Sequence, residues 1–231
     1  MNRWSFYKKN LLEYIDKKFS ILIIGGSQEE FDLLKKLEYE NVTISNFFPD
    51  QTKFSSKIIH VDATNIQFDD NSFDYVITHA CIHHVRRPHS AILEMYRVSR
   101  VGTLIIEGND SIIMRLSSKL GFSETFETSS LDKNNKSKGG VEESGIPNYV
   151  YRWTEREIFK TLASYEPNLK HKIIYKYAND LENTGVQNNR FQNTIYKCIK
   201  LLLKVFFIFF KKQQNLLSIY IDKKKSSKRI F

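Results

Sequence analysis

The feature that most constrains this chain is an alternation through its first half, in which short, wholly apolar runs are separated by stretches of helical period. ILIIG (21–25) is apolar at successive positions, and SQEEFDLLKKLEY (27–39) then places Phe31, Leu34 and Leu37 on one helical face. VTISN (42–46), KIIHVDA (57–63), FDYVITHA (73–80) and TLIIEGN (103–109) read as further strands. A helix opens at Pro88 and groups Ala91, Ile92, Met95, Tyr96 and Val98 as its apolar positions. Strands that are apolar on both faces need cover on both sides. The pattern predicts an α/β fold, a doubly wound and mostly parallel sheet of seven strands with a late antiparallel strand. HKIIYKYA (171–178) and NLLSIYID (215–222) supply the late strands, and Thr154 with Glu157 forms a capping box for a helix between them and the first half.

The 231 residues, without internal repeats, suit one domain over 1–231. Within it, 123–150 is polar and aperiodic and reads as a long loop or lid, and 191–231 as a basic C-terminal helix, final strand and tail. The net charge of +9 is confined to that tail. From Lys197 to Phe231 there are ten basic residues and one acid, Asp222, which leaves residues 1–196 neutral. Nucleic acid is therefore not expected as the main partner, whereas a surface-binding tail is. Cys81 and Cys198 make no disulfide framework, so a reducing, cytoplasmic setting is expected. The first residues, MNRWSFYKKNLLEYIDKKF, are charged and lack the apolar core of a secretion signal.

In open parallel sheets, ligands sit beyond the carboxyl ends of the strands. Those ends offer Gly25, Gly26 and Ser27 after the first strand, Ser45 and Asn46 at the second, and Asp62 and Ala63 at the third. The fourth offers His79, Ala80, His83 and His84, and the fifth offers Glu107, Asn109 and Asp110.

Taken in order, VDATNIQFDDNSFDYVITHACIHHVRRPHSAILEMYRVSRVGTLIIEG resembles the central part of class I S-adenosylmethionine-dependent methyltransferases, most closely the small-molecule branch called methyltransferase type 11. The resemblance covers about residues 20 to 110 and is most specific over 58 to 107. It implies that Asp62-Ala63 ends the third strand at the adenine, that the acidic hairpin FDDNSFD leads into the fourth strand, and that Gly102 precedes the fifth. It also implies S-adenosylmethionine as cofactor, held by Gly25, Gly26, Ser27, Ser45, Asn46, Asp62, Ala63 and His79. The departures are specific. Ile23 stands where the family carries an acid, Ser27 and Glu29 where it carries glycines, and Ser45-Asn46 where it carries an acid for the ribose. A neutral acceptor there makes a weaker hydrogen bond than a carboxylate.

Methyl transfer needs alignment and, for a hydroxyl acceptor, removal of a proton. His83 and His84, which titrate near neutrality, and Glu107 are the candidates for serving the acceptor. Asn109, Tyr149, Tyr151 and Arg152 are candidates for binding it, with Arg152 suited to a carboxylate or phosphate. Plainer readings stand beside these. Asp62 caps a loop, Glu107 pairs with Arg115, and Tyr151 and Trp153 staple the next helix. The run His79, Cys81, His83, His84, His89 matches neither HExxH nor a paired CxxC, so no metal is expected from its spacing.

Lys197, Lys200, Lys204 and Lys211 share a helical face in an otherwise apolar segment. It is too short to span a bilayer, which leaves two readings: a helix in the membrane interface, or one packed on the sheet edge or at a homodimer contact. The expected activity is methyl transfer to a small molecule or sugar, and the resemblance extends this to a surface-polysaccharide precursor. A methyltransferase-like binding protein without catalysis and a membrane-surface module are the alternatives. A nicotinamide-dependent dehydrogenase is disfavoured because the spaced-glycine fingerprint is absent.

Overall fold

The computed structural model describes residues 2–49, 57–131, 139–180 and 202–228. Seven strands form one sheet: β1 (Ile21–Ile24), β2 (Val42–Asn46), β3 (Ile58–His60), β4 (Phe73–His79), β5 (Ser99–Gly108), β8 (Leu169–Ala178) and β9 (Leu216–Lys228). A separate two-stranded ribbon pairs β6 (Phe126–Glu127) with β7 (Asn148–Tyr149). The order across the large sheet is β3-β2-β1-β4-β5-β9-β8. All pairings from β3 to β5 are parallel, and β9 runs antiparallel to both of its neighbours. The expected fold is the one found. The order reverses between β1 and β4, the switch point at which such sheets open a ligand crevice.

The two apolar clusters explain why the first strands are apolar at every position. Leu22, Ile24, Val76 and Ile105 turn to one face, where α3 (Pro88–Val98) and α5 (Glu155–Tyr165) bury Ala91, Ile92, Met95, Ile158 and Leu162. Ile21, Ile23, Ile77, Leu104 and Ile106 turn to the other, beneath α1 (Arg3–Tyr14) and α2 (Gln28–Lys36) with Phe6, Tyr7, Leu11 and Leu34. Alternate residues serve opposite layers, as the period of a strand requires.

Helix starts follow their side chains. Ser27 Oγ accepts from Glu30 N at the head of α2, Ser111 Oγ from Met114 N at the head of α4 (Ile112–Lys119), and Thr154 Oγ1 from Glu157 N at the head of α5. The third strand is shorter than expected and ends at His60, and β9 runs on to Lys228. Of the lysine-rich C-terminal segment, 202–209 is helical, while Lys197, Cys198 and Lys200 lie outside the described residues.

Candidate active site

A cleft of about 230 Å³ opens at the carboxyl ends of β1, β2 and β4, lined by Gly25, Asn46, Phe47, Val61, Ala63, Ala80, Cys81 and His84. Ser130, Gly139, Gly140, Glu142 and Glu143 stand over it. The volume lies below the roughly 300–1,000 Å³ of ordinary ligand pockets.

The two glycines of the first turn have different tasks. Gly25 has φ +65°, and a Cβ there would overlap Cys81 Sγ, so only glycine lets the turn lie against the residue after β4. Gly26 faces away from the cleft. A Cβ on it would come within 2.7 Å of Ile44, so its bareness serves the packing of β1 on β2. Ser27 is consumed as the helix cap.

Ser45 is fully buried and donates to Ile23 O at 2.7 Å, so it does not reach the cleft; Asn46, the next residue, does. Asp62 Oδ1 accepts from Thr64 N at 2.7 Å and Thr64 Oγ1 at 2.8 Å, a loop-capping turn that presents Ala63 to the cleft. His79 points to the opposite layer, stacked on Tyr7 with ring centroids 4.7 Å apart and edge-on to Trp4. Burial there lowers its pKa to about 4, and it is not among the residues that line the cleft.

Glu107 is not a free base. It is buried, and Oε1 accepts from both Cys81 N and Ile82 N at 2.9 Å, fixing the single 3-10 turn Ile82–His84. Its other oxygen lies 2.7 Å from His83 Nδ1. Arg115 pairs with Asp110 instead, at 3.1 Å. The third member is Glu127, on β6 within the polar stretch, which sequence reasoning did not single out. Its Oε2 lies 3.6 Å from His83 Nε2 and 3.4 Å from His84 Nε2. Burial alone would lower the His83 pKa, but Glu107 and Glu127 on either side outweigh it and raise it to about 9. Burial and the neighbouring His83 lower that of His84. The two carboxylates thus favour the charged form of His83, and burial the neutral form of His84.

The proposed acceptor residues are placed elsewhere. Asn109 is buried and donates to Lys212 O and Gln214 O, tying β5 to the start of β9. Arg152 donates to Ser123 Oγ and Glu124 O, and Tyr151 to Glu157. Trp153 is fully buried in the core. Tyr149, on β7, is exposed. The plainer reading holds for Tyr151 and Trp153, which pack at a tilt with centroids 4.8 Å apart just ahead of α5.

A sheet of this order with a cleft at its switch point is the fold of class I S-adenosylmethionine-dependent methyltransferases. In sequence, residues 28–106 match the family described as methyltransferase domain, over roughly a third of the chain. A structure of a SAM-dependent methyltransferase from Archaeoglobus fulgidus superposes with a TM-score of 0.58 at 14% identity, covering 95% of this chain and 94% of that one. The YcgJ protein of Bacillus subtilis superposes with a TM-score of 0.54 at 12% identity, covering 98% and 99%. A curated relative, demethylmenaquinone methyltransferase of Staphylococcus epidermidis, is 42% identical over 50 residues. That stretch spans 22% of this chain and 21% of the relative.

Proposed function

We propose that this chain is an S-adenosylmethionine-dependent methyltransferase that methylates a hydroxyl of a small-molecule or sugar acceptor. The observation that carries it is the cleft itself, where Gly25, the glycine that the first turn requires, and the polar end of β2, Asn46, share a wall with His84. Gly25 and Ala63 leave room for the nucleoside, and Asn46 offers a neutral partner to the ribose. The cofactor supplies an already activated methyl group. What remains for the protein is to align the acceptor and receive its proton. The pole made by His84 and Glu127 is the basic group at the cleft, and Glu107 is a positioning residue that holds the turn carrying both histidines. The segment 139–143 acts as the lid that closes over bound ligands.

The test is release of S-adenosylhomocysteine across a panel of hydroxyl-bearing small molecules and sugars. His84→Asn should lower turnover by about 10²–10⁴-fold while cofactor affinity is unchanged. Full turnover in that variant removes His84 from the reaction.

A second contact is favoured by the exposed side chains of Leu202, Val205, Ile208, Phe209 and Phe210, together with the exposed Ile112 and Leu116 of α4 and Leu120 at its C-cap. Lys204, Lys211 and Arg115 accompany them, and α4 joins residue 213 through Ser111 Oγ to Gln213 O at 3.0 Å. We read this basic, apolar surface as a peripheral contact with an anionic membrane. No described helix is long and apolar enough to cross one. Sedimentation with anionic vesicles should be lost in Ile208→Glu/Phe209→Glu. Sedimentation that persists in that variant contradicts the contact.

A further inference from the structure

The histidine pair is paired with Glu127 in a geometry that proton sharing alone does not explain. Glu127 Oε2 is buried without a hydrogen-bond partner among the described residues, although two imidazole nitrogens face it at 3.4 and 3.6 Å. A buried carboxylate oxygen left unsatisfied costs stability. These separations are long for a charge-assisted hydrogen bond, normally about 2.7–2.9 Å. They match the edge of a tetrahedron around a metal with ligands at about 2.1 Å, which is about 3.4 Å.

The other ring nitrogens are engaged in the way ligating histidines require. His83 Nδ1 faces Glu107 Oε2 at 2.7 Å, and His84 Nδ1 faces the Gly140 carbonyl at 3.3 Å. A carbonyl oxygen only accepts, so His84 carries its proton on Nδ1 and turns the Nε2 lone pair toward Glu127. With Nδ1–H donated to Glu107, His83 turns its Nε2 the same way, and an ion bound there takes the place of the Nε2 proton. A carboxylate behind one ligand and a carbonyl behind the other are the usual outer partners of metal-bound imidazoles. The three ligating atoms lie within 4.8 Å of one another.

We propose that His83, His84 and Glu127 form a binding site for a divalent transition-metal ion of the zinc type, with a fourth position left open. Two imidazoles and one carboxylate suit such an ion and not magnesium or calcium, which favour all-oxygen ligands. The ion also meets the charge of the place: two carboxylates, Glu107 and Glu127, flank the two imidazoles, and a divalent ion in place of the proton between His83 and Glu127 balances them. Because His84 lines the cleft, the open position borders it. An acceptor hydroxyl bound there would lose its proton to water more readily, since a metal lowers the pKa of a bound hydroxyl; with the ion in place His84 and Glu127 are its ligands and no longer receive that proton. That use rests on the methyltransferase reading; the binding does not. The histidine spacing did not reveal the site because its third ligand comes from a ribbon far downstream.

The test is calorimetric and spectroscopic titration of the tag-free full chain with Co(II), and then Zn(II), without S-adenosylmethionine. One equivalent should bind with micromolar affinity or tighter. Glu127→Gln and His84→Asn should each weaken it by tenfold or more, and Glu107→Gln by about 10–100-fold. His89→Asn, in the same histidine run but paired with Glu157, should leave it unchanged. Thermal melts establish that each variant is folded. No saturable binding of either ion at millimolar concentration overturns the proposal, as does binding that survives in both Glu127→Gln and His84→Asn. Measured without the cofactor, the metal site can fail while S-adenosylmethionine still binds, and the reverse.

Discussion

Glu30 is a carboxyl placed where ionisation is costly. It sits on the first turn of α2, 2% exposed, and receives a hydrogen bond from the Tyr7 hydroxyl of α1. Burial raises its pKa from 4.5 to about 7, against the opposing pull of the Tyr7 and Ser27 hydrogen bonds. In the unfolded chain the same group ionises near 4.5. Between those values the folded state binds more protons, so stability falls as pH rises through the window and levels off above 7. The shift of about 2.5 units corresponds to about 3 kcal/mol at about 1.4 kcal/mol per unit. Replacing Glu30 with Gln keeps an acceptor for Tyr7 and removes the titration. At pH 5 the variant and the parent should be equally stable within about 1 kcal/mol. At pH 8 the variant should be more stable by about 3 kcal/mol, or roughly 6–12 °C in melting temperature for a chain of this size. Thermal and urea unfolding at half-unit pH steps read this directly. Parallel curves for the two proteins between pH 4.5 and 7.5 would refute the reasoning.

Ala80, at the cleft wall, has φ +52°. Ala80→Gly should therefore be tolerated, whereas Ala80→Val should cost about 1–3 kcal/mol in urea unfolding. Trp153→Ala should cost about 3–5 kcal/mol, because the ring is fully buried in the core. Tyr149→Ala, four residues earlier and exposed, should cost less than about 0.5 kcal/mol. Asn46→Asp should tighten S-adenosylmethionine binding by about fivefold, since a charged acceptor adds about 1 kcal/mol over a neutral one; unchanged or weaker binding in calorimetry would take Asn46 away from the ribose.

The sheet was legible because strands buried on two faces have no polar period to confuse. Leu22 and Ile23 serve different layers, and both must be apolar. The N-cap at Thr154 was legible for a local reason, since its hydroxyl and the Glu157 amide lie within one turn, while the Glu157 side chain expected to close the box meets Tyr151 and His89 instead. The site was legible only as far as strand ends. Neighbours on a strand face opposite ways, so of Ser45 and Asn46 only one meets the cleft, and the sequence does not say which. His79 and Ala80 divide in the same manner. Glu107 looked like a base because it ends β5, but two backbone amides and an imidazole occupy its oxygens. Tyr151 was a candidate for the acceptor, yet it bonds to Glu157 and packs against Trp153 ahead of α5. Glu127 carried no local signal. Its importance comes from the ribbon that brings β6 against the histidine turn, a contact that only the folded chain makes.

The central claim is that this cleft holds S-adenosylmethionine, and calorimetric titration of the full chain with S-adenosylmethionine and S-adenosylhomocysteine tests it most directly. Both should bind saturably, one to one, in the micromolar range. Absence of binding at millimolar ligand would contradict it, and would leave the glycine turn at β1 as a structural bend rather than a cofactor site.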